Sequence, residues 1–126
     1  MGQPMVWGMS YIDPDLTYYL SGPMAGYADH NFPAFEAAMT ELRDAGLSIL
    51  SPHKVEHPNL SGKPEEWAEY LRNDLKEMLS FCQGIILLRG WPQSRGARLE
   101  LSIAQALDWP TYYYHNFLLT SMNKET

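Results

Sequence analysis

Four consecutive bulky aliphatic residues, Ile85-Ile86-Leu87-Leu88, run without a polar interruption into Arg89-Gly90-Trp91-Pro92 and then into Ser94-Arg95-Gly96-Ala97-Arg98-Leu99-Glu100-Leu101. Apolar side chains on both alternating faces predict a strand buried on both sides of a sheet. A strand covered on both faces needs helices above and below it, which restricts the chain to α/β layering. Gly90, Trp91 and Pro92 break the strand. Ser94 suits the N-cap of the next helix, and Gly96 permits close backbone approach to a ligand. A helix that starts beyond a strand's C-terminal end presents free N–H groups and the positive end of its dipole to an anion. Glu100 falls in the early turns of that helix, near the anion site but not part of it. Two readings stand at this point. Ser94 is a plain cap and Glu100 a solvated carboxylate, or the two mark the phosphate and sugar ends of a nucleotide site.

The rest of the chain repeats the same alternation. Thr17-Tyr18-Tyr19-Leu20 is rich in β-formers and stops at Ser21-Gly22-Pro23-Met24-Ala25-Gly26, a loop placed where open α/β sheets bind ligands. Asn31 opens a helix in which Phe32, Phe35, Met39 and Leu42 recur at helical spacing, and Gly46 closes it. Leu47-Ser48-Ile49-Leu50 is a second strand. Pro64 to Phe81 reads as a second helix with Trp67, Leu71, Leu75, Met78 and Leu79 on its apolar face and Asp74 beside that face. Thr111-Tyr112-Tyr113-Tyr114 is a fourth strand. Residues 1–16, punctuated by Gly2, Pro4, Gly8 and Pro14, are expected to be irregular, and residues 115–126 to form a polar tail. The order β-α-β-α-β-α-β predicts one domain spanning 1–126, an open parallel sheet in a flavodoxin- or Rossmann-like three-layer sandwich. Loops after the first and third strands then open on one edge and can bring Gly22, Asp74 and Glu100 into one cleft.

Composition removes several functions. A formal net charge of −6 argues against a nucleic-acid polymer as partner, which would require a basic face. No stretch approaches the roughly 20 apolar residues of a membrane helix, and no signal peptide is apparent at the N-terminus, so a cytoplasmic location is expected. One cysteine, Cys82, precludes an internal disulfide and reads as a buried thiol. His53 and His57 are four apart but bracketed by Pro52 and Pro58, with no third ligand at metal spacing, so they read as loop histidines and no metal site is expected.

Taken in order, Leu20-Ser21-Gly22-Pro23-Met24, Asn31 with Phe35, Ser51-Pro52, Asp74-Leu75, Gly90-Trp91 and Ser94-Arg95-Gly96-Ala97 leading to Glu100 and Ala104 resemble the nucleoside 2-deoxyribosyltransferase superfamily, in a small phage- or bacterium-type branch. The likeness runs from Tyr19 to Tyr114. It implies that Glu100 attacks the anomeric carbon of the sugar and that Asp74 manages the proton of the leaving base. It also implies that Ser94, six residues before the nucleophile, binds a 5′-phosphate, as in nucleotide-hydrolysing members. Ser21-Gly22-Pro23-Met24 stands where known hydrolases carry a basic, glycine-rich phosphate loop. A homodimer or higher homo-oligomer is implied, and no cofactor.

The expected chemistry follows from two carboxyl groups around an N-glycosidic bond. Ionised Glu100 would form a glycosyl ester, and protonated Asp74 would donate to the base and then activate water or a second base. Tyr19 or Tyr18 would orient Glu100. The Ser21–Met24 loop and Gly90 would pack sugar and base, and the N–H groups at Ser94, Gly96 and Ala97 would hold phosphate. Trp91 would stack on a base or cover the core, the core being favoured. The activity expected is cleavage of a (deoxy)nucleoside 5′-monophosphate. A base-exchanging deoxyribosyltransferase, a glycosidase acting on another nucleotide and a non-catalytic nucleotide-binding module are the alternatives.

Overall fold

A computed structural model describes residues 5–7, 10–115 and 118–121 of the chain. An antiparallel hairpin, β1 (Met5–Trp7) and β2 (Ser10–Ile12), precedes the first sheet strand, β3 (Thr17–Ser21). There follow α1 (Phe32–Asp44), β4 (Ser48–Leu50), α2 (Trp67–Phe81), β5 (Gly84–Leu87), α3 (Arg95–Ala106), β6 (Thr111–His115) and β7 (Leu118–Ser121). The sheet order is β4-β3-β5-β6-β7. The first four strands are parallel and β7 runs antiparallel at the edge. The fold is therefore the open, parallel α/β sandwich expected from the alternation of elements.

Alternation along β3 decides what each face receives. Tyr18 and Leu20 join Phe35, Met39, Leu42, Ile49 and Ile86 in a core under α1. Tyr19 points the other way and packs with Met78, Ile85, Leu87, Leu101 and Ala104 under α2 and α3. Period-two alternation in the strand, with helices on both faces, sends neighbouring tyrosines into two separate cores. Within α1 the inward stripe is Phe35, Ala38, Met39 and Leu42. Gly46, at φ +99°, ends the helix in a left-handed turn that favours glycine.

Two segments differ from expectation. The N-terminal segment, expected to be irregular, holds the β1–β2 hairpin, and Ile12 is 1% exposed in the α1-side core. The stretch expected to be a tail holds β7, which adds to the sheet by pairing with β6. An edge strand of this kind takes its conformation from its neighbour's unpaired backbone groups, so the four residues Leu118–Ser121 do not reveal it by themselves. Two side chains assigned to apolar stripes also stay outside the cores: Leu79 of α2 is 50% exposed and Phe32 at the start of α1 is 40% exposed. Among the described residues no helix is long and apolar enough to cross a membrane.

Candidate active site

Tyr19 and Ser21 lie two apart on β3 and face α3 together. Glu100, in the second turn of α3, is 6% exposed and stands against them. The Tyr19 hydroxyl donates to Glu100 Oε2 at 3.0 Å, and Ser21 Oγ donates to Oε1 at 2.6 Å. Both carboxylate oxygens are thus held by donors from β3. Tyr18, the other candidate for this role, faces the opposite core and donates to the Asp13 carbonyl at 2.8 Å.

Asp74, on α2, is the second carboxyl group of this face. Its side chain is 15% exposed, and its Oδ1 is buried without a hydrogen bond from any described residue. Burial first, then the charges of Glu100 and Glu77, push its pKa up to about 8. Burial pushes Glu100 up to about 7, against the pull of the Ser21 and Tyr19 hydrogen bonds, which favour its ionised form. Two hydrogen bonds favour ionised Glu100 and none is made to Asp74 Oδ1, so the geometry tilts the proton toward Asp74. Unequal environments of this kind are a common feature of carboxyl pairs in functional sites. Tyr19 is driven well above the ordinary tyrosine value by burial and by Glu100, so it remains a donor.

The loops at the C-terminal edge of the sheet pack on one another. A Cβ at Gly22 would meet Leu88 Cβ at 2.9 Å, so glycine lets the β3 and β5 exits approach. Gly90, at φ +89°, closes the other side, where a Cβ would lie 2.8 Å from the Tyr27 hydroxyl and 3.1 Å from Pro23 Cγ. Pro23 also accepts at its carbonyl from Asn31 Nδ2, 2.9 Å away. Asn31 ends a run of three left-handed residues, Asp29, His30 and Asn31, at φ 52°, 52° and 61°. Each costs about 1–2 kcal/mol for a residue with a side chain, so this loop is shaped by its contacts rather than by local preference. Met24 packs on the α1-side core and Trp91 on the α2–α3-side core.

The start of α3 differs in detail from an open anion site. Ser94 Oγ accepts from the Ala97 N–H at 3.1 Å, and the Ser94 N–H donates to the Trp91 carbonyl at 3.0 Å. These two N–H groups, expected to face phosphate, are used inside the protein. Gly96, the second residue of the helix, keeps an N–H with no intrahelical acceptor. Beside it the Arg95 guanidinium stacks over the Trp67 ring, 4.4 Å from its centre, and links the N-terminal turns of α2 and α3.

Sequence reasoning left both loop histidines without a role, and the structure gives each a partner set. His53 joins Ser51 Oγ at Nδ1, 2.6 Å, and Glu36 Oε1 at Nε2, 2.9 Å, pinning the end of β4 to α1. His57 lies against Asp74, with Nε2 3.5 Å from Oδ1. No local signal in the sequence marks that approach. Among the described residues there is no group of three His, Cys, Asp or Glu side chains placed to hold a metal ion.

Two clefts open nearby. One, of about 880 Å³, follows the β4 edge and is lined by Thr17, Ser48, Leu50, Asn73, Lys76 and Glu77 among others. The other, of about 430 Å³, lies between the loops after β3 and β5 and includes Tyr27, Asn31, Arg89 and Gly90. Glu100 and Asp74 do not line these two clefts, although Asn73, next to Asp74 in the chain, lines the first.

The fold and this site define an open α/β sandwich with a buried carboxyl pair at the face of its central strands. Residues 16–113 match the family described as "Domain of unknown function (DUF4406)", and the chain belongs to that family. Among solved structures it is similar to a 2-deoxyribosyltransferase from the psychrotolerant bacterium Bacillus psychrosaccharolyticus. The two share 21% identity over 77% of this chain and 70% of that one, with a TM-score of 0.59, a likeness of fold. No curated protein matches the chain.

Proposed function

We propose that the protein cleaves the N-glycosidic bond of a (deoxy)nucleoside 5′-monophosphate through a covalent glycosyl-glutamate intermediate. The observation that carries this reading is the buried Glu100 carboxylate, held at both oxygens by Tyr19 and Ser21, on the same face as an Asp74 that retains its proton. Glu100 attacks the anomeric carbon as the C–N bond breaks, and the bonding pair leaves with the base. Asp74 delivers its proton to the departing nitrogen. The resulting Asp74 carboxylate then takes a proton from water, which attacks the sugar carbon and frees Glu100. A second base taking the place of water would give transfer. The fold shared with a 2-deoxyribosyltransferase favours keeping that reading beside hydrolysis.

Arg95, the Gly96 N–H and the dipole of α3 supply the phosphate end. Ser94 shapes that end as the helix cap. The Ser21–Met24 loop and Gly90 set the floor for sugar and base. A homo-oligomer is part of this reading, and light scattering checks it directly.

The test is a panel of nucleosides, deoxynucleosides and their 5′-monophosphates, with and without a second base, followed by chromatography of released base. Release from a monophosphate, abolished by Glu100→Gln, is the expected result. Exchange only with a second base present would make the protein a transferase. Silence across the panel, with nucleotide binding unchanged by Glu100→Gln, would leave a binding module.

A further inference from the structure

Asp74 keeps one buried oxygen without a hydrogen bond from any described residue, and an imidazole stands in front of it. His57 comes from the segment between β4 and α2 and lays its ring on Tyr70, with centres 4.5 Å apart. Its Nδ1 is 3.2 Å from Asn73 Nδ2, and its Nε2 is 3.5 Å from Asp74 Oδ1. With the Asn73 amide oriented as it is, its nitrogen donates and Nδ1 accepts. The neutral ring then carries its proton on Nε2, directed at Asp74. At 3.5 Å that hydrogen bond is not yet made, and an approach of about half an ångström would make it.

We propose that His57 is a positioning residue for the acid. Its Nε2–H engages Asp74 Oδ1 when substrate is bound, which confines the carboxyl proton to Oδ2, and the departing base takes the proton from there. This rests on the glycosidic reading above. In the step, the C–N bond breaks with its electron pair going to the base nitrogen, Oδ2 gives up its proton to that nitrogen, and Glu100 forms the new bond to carbon. Asp74 becomes a carboxylate, and the Nε2–H···Oδ1 bond strengthens because its acceptor is now charged. His57 itself keeps its proton count. Burial lowers its pKa from the ordinary 6.5, which favours the neutral ring. Glu100 from α3, Glu77 from α2 itself and Tyr19 from β3 are the other titratable groups acting on this environment. Tyr70 and Asn73 fix the ring from α2.

The experiment combines nitrogen and carboxyl-carbon NMR on the full-length protein with pH–rate profiles for wild type, His57→Phe and His57→Gln. The tautomer is read on wild type and needs no variant: Nδ1 is expected to be unprotonated at neutral pH, and a proton there would overturn the inference. Phenylalanine keeps the packing on Tyr70 but removes the donor. Losing a bond that favours the carboxylate raises the Asp74 titration. The alkaline limb of kcat is then expected to move to higher pH, with kcat down about tenfold and KM within about twofold. Glutamine, which can donate, is expected to restore most of both. An active wild type whose alkaline limb of kcat ignores His57→Phe overturns this inference alone. A wild type silent toward every substrate overturns the glycosidic reading, and with it any acid for His57 to position.

Discussion

Ser21 Oγ meets Glu100 Oε1 at 2.6 Å across 79 positions of sequence, tying the last residue of β3 to the second turn of α3. With Tyr19 on the other oxygen, this bond is what keeps a nearly fully buried carboxyl group available in its ionised form.

Removing that donor has a definite sign. In Ser21→Ala the ionised form of Glu100 loses stabilisation and its pKa rises further above the ordinary carboxylate range. The acidic limb of the activity profile is expected to move up by about one pH unit, with about a tenfold loss near neutrality, the effect of one hydrogen bond to a charged group. Tyr19 still holds Oε2, so the fold should persist. Initial rates against pH for the two proteins check this.

The pair predicts a narrow bell-shaped profile. Reaction needs Glu100 ionised and Asp74 protonated. Activity is expected to rise as pH passes about 7 and fall as it passes about 8, with the optimum between. Both limbs belong to the coupled pair rather than to either group alone. A pH–rate series on any accepted substrate measures it, and a broad plateau extending to alkaline pH would contradict the acid role of Asp74.

Stability should run against the ionisation of Asp74. Its folded pKa, about 8, lies above the ordinary aspartate value of 3.8, so the folded state binds the proton more tightly than the unfolded chain. Stability from this group is complete below the unfolded value and is lost as pH rises through the folded one. Asp74→Asn, which cannot ionise, is therefore expected to be inactive yet more stable than wild type at pH above about 8, by the order of a few kcal/mol. The difference should vanish near pH 4. Thermal melts of both proteins at these two extremes decide it.

Close packing at Gly84 gives a prediction independent of chemistry. A Cβ there would lie 2.5 Å from the Tyr18 ring and 3.3 Å from the Pro110 carbonyl. Tyr18 is fully buried against Tyr112, with ring centres 5.9 Å apart, and has little room to yield. Gly84→Ala is expected to destabilise the protein by about 1–3 kcal/mol, the cost of overpacking a core. Denaturant unfolding measures it, and wild-type stability in the variant would show that the Tyr18 ring can shift.

The sequence by itself determined the parallel strands, the helices and the cap at Ser94, because these rest on local periodicity, on breakers and on one side chain's bond to a nearby N–H. It also placed Glu100 and Asp74 on helices beside apolar stripes. The β1–β2 hairpin and β7 were not legible, since short strands at a chain's ends depend on the backbone they pair with. Tertiary structure alone decided that β3 lies between β4 and β5 and that Tyr19, not Tyr18, faces α3. It also brought Ser21 to Glu100 and His57 to Asp74. The reason is physical: which groups are buried together, and how far burial and neighbouring charge raise a carboxyl pKa, depend on contacts between residues far apart in the chain. No local pattern encodes those contacts.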